Sequence, residues 1–483
     1  MCADPMRLEK FFNPRAIAVI GASEQGLYPA GILRNLIEFG FPGPVYPVNP
    51  NQKHIFGMEA YPSIEQTPGP VDLAIVVVNR SRVLPVVAQC AAVGVQAVLI
   101  ITAGFAESDA EGVQLQAQLA DLIKSSELAV LGPNCAGYAG LRGRLVATRL
   151  PCPAQIGGVS FISQSGALMM ALYGVFIDHC LGLNKIISVG NQVDIDLGTG
   201  LTYLAQDPET HVIGAFVEGV KDGASLVGAM QAALQNGKPL VLVKSGRTGS
   251  GQKAAATHTA AVAGSDFVFQ SVCRQFGVHL AADIREMVDV LRVQAAFGDR
   301  LMNFERWMVV TQSGGMGSLA ADAIENAGMF LNPPGVGLQQ ALRSVEHLSA
   351  IIHWENPADV RGASLRGSAT QKTLRPFLED AENDLVLLLL ARSLVQSADE
   401  ETAQAICQVV RETDKPLVVV WVGQHISVDQ PARLSADQLL TQAGIPVFPQ
   451  VSDAVQALNA ARQYWLSRQL ALQHAEIHGG VQP

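Results

Sequence analysis

The chain has 483 residues, of which 49% are hydrophobic, 6% aromatic and 16% charged, with 45 glycines. This composition excludes a disordered or fibrous polymer and suits a packed α/β protein of about three domains. A formal charge of −10 without any Lys/Arg run excludes a nucleic-acid-binding surface. The longest apolar runs, such as Leu385 to Ala391, are too short to span a bilayer, and no membrane partner is expected. The opening MCADPMRLEKFFNP has no apolar core of signal-peptide length, so a cytoplasmic location is expected. The seven cysteines form no CxxC pair, which argues against a disulfide framework and a zinc site; no metal is expected on this chain.

In chain order, AIAVIGASEQG (Ala16 to Gly26) is a short apolar run ending in a glycine turn, followed by helical spacing from Pro29 to Phe39. VYPVNP, DLAIVVV, AVLIITAGF and LAVLGPN continue as near-continuous apolar strands between helix-length stretches, the pattern of a parallel sheet covered on both faces. A second cycle opens at GGVSFISQSGAL and a third at WMVVTQSGGMG. The expected fold is therefore α/β, with three consecutive Rossmann- or flavodoxin-like doubly wound domains at 1–150, 151–300 and 301–465, and a loose polar tail at 466–483. The first turn alone would also suit an NAD-dependent dehydrogenase. Against that, the second strand ends in Asn49-Pro50, where an acid for the ribose would be needed.

Two segments echo one another. ISQSGA (with Ser163, Ser165 and Gly166) and TQSGGM (with Ser313, Gly314 and Gly315) each follow a strand and open a helix. Helix starts carry unpaired N–H groups and a positive dipole end, so each is either an anion site or ordinary capping. Between them, GSGQKAAATHTAAVAGSD places His258 among small residues, in a stretch that reads as a loop. Such a histidine can be a nucleophile or an exposed bystander. Glu218, at the end of the strand VIGAFVEG, can orient an imidazole or be a solvated strand-end acid.

The run VKSGRTGSGQKAAATHTAAVAGSD resembles the phosphohistidine segment of NDP-forming acyl-CoA synthetases, in particular the α subunit of the ADP-forming acetyl-CoA synthetases, relatives of succinyl-CoA synthetase. IGAS, YPVNP, TAGFAE, LGPNCAGY, SQSGAL, SVGNQVDID, FVEGVKD, TQSGGMG and NPADVRG extend the resemblance over nearly the whole chain. The resemblance implies a coenzyme A site in the first domain, with Gly21, Ala22 and Ser23 cradling phosphate and Val48, Asn49, Gly104, Phe105, Asn134 and Cys135 lining the rest. It implies His258 as the phosphorylated residue assisted by Glu218, and Ser163, Ser165, Gly166, Ser313, Gly314 and Gly315 as phosphate-stabilising positions. It also implies a small carboxylic acid or its acyl-CoA as substrate, and ATP or ADP with Mg on a partner ATP-grasp β subunit, hence a hetero-oligomer. Thr257 and Ala260 depart from the S-H-T-G form of the motif, and Asn79-Arg80 replace Pro-Ala after the third strand. The region Gly198 to Gly200 also lacks a customary acid. The alternative these departures leave is a CoA- or acyl-CoA-binding module without turnover.

Overall fold

The structure is a computed structural model that describes residues 4–150, 155–258, 265–348, 354–393, 396–424 and 435–477; of residues 254–258, 302–303 and 474–477 it describes the backbone. Two compact units emerge, one carrying two sheets within residues 1–287 and one carrying a third sheet within residues 288–469.

The apolar runs read from the sequence form parallel strands buried on both faces. In the first sheet the spatial order is Val45–Val48, Ile17–Ile20, Leu73–Val76, Ala97–Ile100 and Ala129–Leu131, every neighbour parallel. Numbered along the chain, that is the order 2-1-3-4-5. The second sheet repeats it with His279–Ala281, Leu240–Lys244, Val212–Val217, Ile156–Ser163 and Leu183–Ser188, read from its far edge. The third repeats it again with Ala358–Asp359, Trp307–Thr311, Leu385–Ala391, Leu417–Val422 and Val447–Phe448. In this order the connections leave in opposite directions from the first and third strands, and a crevice opens beyond their carboxyl ends, where ligands of such folds bind. The three crevices lie beyond Ile20 and Val76, beyond Ser163 and Val217, and beyond Thr311 and Ala391.

The second sheet has two further strands that the sequence reading did not contain. The hairpin Gly137–Gly140 and Leu145–Thr148 precedes residue 150, yet it adds antiparallel to Leu183–Ser188 and widens that sheet to seven strands. Asn35 ties it to the helix Leu27–Glu38 by donating to the Thr148 and Leu150 carbonyls at 2.5 and 2.8 Å. Tyr138 donates to Phe11 O at 2.6 Å, and one continuous apolar core runs from Leu8 and Phe11 through Ile17 and Tyr138 to Ile162 and Ile213. Burial on this scale fixes the first two sheets relative to each other.

The segment expected to be a loose tail is helical as far as Ile477, in the helix Val451–Ile477. WLSRQLALQHAEI holds good helix formers and no Gly or Pro, so nothing local stops the helix. Among the described residues, no helix is long and apolar enough to cross a membrane, and no group of three or more His, Cys, Asp or Glu could hold a metal ion.

Candidate active site

At the first crevice, Gly21 adopts φ +88°, and a Cβ there would lie 2.2 Å from the Val77 carbonyl oxygen. Glycine is therefore required by the closeness of two strand ends, not only by the turn. The N–H groups of Gly21 and Ala22, expected to face a phosphate, are used otherwise: both donate to Val48 O, at 3.0 and 3.2 Å. The acceptor is a backbone oxygen on the neighbouring strand, which explains why the sequence did not reveal it. Ala22 and Val48 are buried, and Asn49 braces them by donating to Ala22 O at 2.8 Å. These residues form the floor of the crevice. Ser23 is part-exposed and the following residues Glu24 to Leu27 are exposed, so the surface open to a ligand begins at Ser23.

The opposite wall turns at Gly104, φ +99°. Glu107 accepts from the N–H groups of Gly104 at 2.6 Å and Phe105 at 3.2 Å, so the turn is held by its own carboxylate. Asn191, from the loop after Leu183–Ser188, donates to Glu107 and, at 2.8 Å, to Gln116, and accepts from Asn134 at 3.2 Å. This knot of four polar side chains joins the first crevice to the second sheet. Phe105 and Cys135 lie behind it, fully or nearly buried. The Cys135 thiol donates to Ile100 O at 3.3 Å, and burial pushes it up to about 12, which keeps it an unreactive packing group at neutral pH. Arg80, at the start of the helix Arg80–Ala92, pairs with Asp109 at 2.7 Å and with Glu111, and donates to Gly104 O at 3.2 Å.

At the second crevice, Ser163 Oγ accepts from Ser165 N at 3.1 Å and donates to Ser165 O at 2.7 Å, closing a tight turn. Ser165 then caps the helix Gly166–Asp178 by accepting from Leu168 N. Gly166 is required by packing, since a Cβ would come within 2.9 Å of the Ala136 methyl. Across the crevice stands Glu218, directly after the strand Val212–Val217. The buried side chain of Gln164 spans the gap to the backbone of Glu218 and Gly219.

The third crevice repeats the turn. Thr311 Oγ1 accepts from Ser313 N at 3.1 Å and donates to Ser313 O at 2.9 Å, and the helix Gly314–Asn326 follows. Gly314 and Gly315 are exposed and have room for a Cβ, so openness rather than packing distinguishes this helix start. The echo seen in the sequence is thus one hydrogen-bonded turn built twice, each presenting the positive end of a 13-residue helix.

The stretch read as a loop around His258 begins as a helix, Gly249–His258, because Thr248 accepts from Gly251 N and Gln252 N and Ala254 to Ala256 favour helix. The side chain of His258, and Thr259 and Ala260 entirely, lie outside the described residues. On either side of this stretch, Arg247 pairs with Asp266 at 3.3 Å, and Gln270 donates to the same carboxylate at 2.6 Å. Arg80, Glu107, Gln116, Asn191 and Gln164 were not picked out as site residues from the sequence. Four of them, all but Gln116, lie beside or within the motifs DLAIVVV, TAGFAE, SVGNQVDID and ISQSGA, and only their contacts show their part.

Comparison with known proteins gives a consistent result. Residues 15–140 match the model of a CoA binding domain, and residues 156–294 that of a succinyl-CoA ligase like flavodoxin domain. The α subunit of acetate–CoA ligase [ADP-forming] II from Pyrococcus furiosus is 35% identical, over 98% of this chain and 99% of its own length. Acetate–CoA ligase [ADP-forming] I from Archaeoglobus fulgidus is 32% identical over 95% of this chain, which corresponds to 64% of that longer protein. Among solved structures, dinucleotide-forming acetyl-coenzyme A synthetase 1 of Candidatus Korarchaeum cryptofilum, in complex with phosphate and ADP, superposes with a TM-score of 0.86 at 31% identity, covering 97% of this chain and 98% of its own.

Proposed function

The chain belongs to the family of ADP-forming acetate–CoA ligase α subunits, and from that premise we propose that it is the CoA-binding, phosphohistidine-carrying subunit of an acid–thiol ligase. The observation that carries the proposal is the second crevice, where a capped helix start at Ser165-Gly166 faces Glu218 across a topological switch point. A phosphate oxygen attacks the acyl-CoA thioester carbon, the C–S bond breaks, and CoA leaves as a thiolate that takes up a proton. The His258 imidazole then attacks phosphorus, the P–O bond to the acyl group breaks, and the carboxylic acid departs as its carboxylate. Glu218 orients the ring, and the helix start at Gly166 offsets the phosphoryl charge.

ATP or ADP with Mg is assigned to an ATP-grasp partner subunit, in keeping with the relatives' designation as α subunits and with the greater length of the Archaeoglobus fulgidus protein. No described residue of this chain is assigned to the metal. We read the working enzyme as a cytoplasmic hetero-oligomer.

The test uses the full chain with acetyl-CoA and radiolabelled phosphate. Protein-bound label that is stable to base and labile to acid is expected, since phosphoramidates hydrolyse in acid and phosphoserine does not. Absence of label with a range of acyl-CoAs, with or without an ATP-grasp chain, would favour a binding module without turnover. Arg80 bears on CoA itself. Its contacts to Asp109, Glu111 and Gly104 O position the wall of the first crevice. Arg80→Ala is expected to weaken CoA binding up to about fivefold. Arg80→Lys should not restore it, because one ammonium cannot serve three acceptors in a planar fan. Unchanged CoA titration calorimetry in Arg80→Ala would remove Arg80 from the site.

A further inference from the structure

The side chain that holds the second crevice at its set width is Gln164. It follows the first strand of the second sheet, 92% removed from solvent, and reaches across the crevice to the end of the third. Its Oε1 accepts from the N–H groups of Glu218 and, at 3.0 Å, Gly219, and its Nε2 donates to Gly219 O at 2.7 Å. Its own backbone N–H donates to Phe216 O at 3.2 Å. All three hydrogen bonds of the side-chain amide therefore go to the two residues just beyond the strand, and one of them is Glu218. A buried amide with three such bonds has one rotamer available, and it passes that rigidity to the backbone it grips.

The third sheet supplies the contrast. Gln312 occupies the equivalent place, but it is part-exposed and reaches the end of the strand Leu385–Ala391 with a single long contact, Nε2 to Ala391 O at 3.5 Å. In the second sheet alone the clamp is closed, and there the residue clamped is an acid.

We propose that Gln164 is a positioning residue for phosphoryl transfer: by fixing the backbone at Glu218 and Gly219 against the Ser163–Ser165 turn, it sets where the Glu218 carboxylate meets the histidine ring. This rests on the reading of Glu218 as the orienting acid. A displacement of about 1 Å in such a group lowers rate by up to about a hundredfold without changing what binds.

The experiment is a double-mutant cycle on the full chain, reading the rate of protein labelling from acetyl-CoA and radiolabelled phosphate, with CoA affinity measured in parallel by calorimetry. Gln164→Met keeps length and burial and removes all three bonds. It is expected to slow labelling about 10- to 100-fold at unchanged half-saturating acetyl-CoA, and to have less than about a threefold effect when Glu218→Gln is already present. Equal losses in both backgrounds, or no loss in either, would overturn the proposal. Should Gln164→Met fail to fold, Gln164→Glu retains the two accepting positions, and its smaller loss must likewise vanish in the Glu218→Gln background. Failure of the underlying reading is distinguishable, because wild-type protein would then not be labelled, or Glu218→Gln alone would label as fast as wild type.

Discussion

His258→Ala is expected to abolish labelling by acetyl-CoA and radiolabelled phosphate and to leave CoA affinity and the thermal midpoint unchanged. The first part follows from chemistry, since an imidazole that attacks phosphorus gives an acid-labile phosphoramidate, whereas Thr257 would give an acid-stable ester. The second part follows from position. The residue ends the helix Gly249–His258, outside the strands of the three sheets, and a change in stability of about 0.5 kcal/mol or less is expected. Mass spectrometry of base-stabilised peptides identifies the labelled residue. Label that persists in His258→Ala would move the nucleophile elsewhere. Loss of label together with loss of CoA binding would show instead that the helix supports the fold.

Legibility in the sequence followed the range of the interactions. Strands such as Ile17–Ile20 and Leu73–Val76 are buried on both faces, so their identity is written in consecutive apolar residues and could be read directly. The hairpin Gly137–Thr148 could not, because GYAG earns its place by pairing with Lys185 to Ile187, far along the chain, and LVAT by pairing in turn with GYAG. The glycine turns were legible as turns. What their N–H groups do was not, since the partner of Gly21 and Ala22 is a carbonyl at residue 48. The same holds for the chemistry. Ser-Gly helix starts and a histidine among small residues carry a local signature. Gln164, Asn191 and Arg80 carry none, because an amide or a guanidinium becomes a clamp only through backbone groups brought to it by the sheet order. Arg80 shows how a departure from a family pattern can gain a meaning: where Pro-Ala would make no ion pair, arginine ties two acids and a carbonyl of the adjoining turn.

Gly21→Ala is expected to be one of the most damaging single-methyl changes in the first domain, and Gly94→Ala shows why. Both glycines have strongly positive φ, +88° and +81°. At Gly94, just beyond the helix Arg80–Ala92, an added Cβ meets nothing within 4 Å, so Gly94→Ala carries the backbone cost alone, roughly 1–2 kcal/mol. At Gly21 the Cβ would lie 2.2 Å from Val77 O and 2.8 Å from Val77 C, and both atoms are backbone. Relief requires the strand ends Ile20 and Val77 to part, against the N–H bond from Val77 to Ile20 O at 2.9 Å and the two bonds to Val48 O. Overpacking of this kind adds roughly 1–3 kcal/mol, so Gly21→Ala should cost roughly 2–5 kcal/mol in all. Because those strand ends are the two sides of the first crevice, the same substitution should also abolish CoA binding, whereas Gly94→Ala leaves it intact. Urea midpoints and CoA calorimetry on the two variants decide the matter. Equal midpoints, with CoA still bound by Gly21→Ala, would mean that the crevice floor yields by an ångström or more and that its close approach is not what shapes the site.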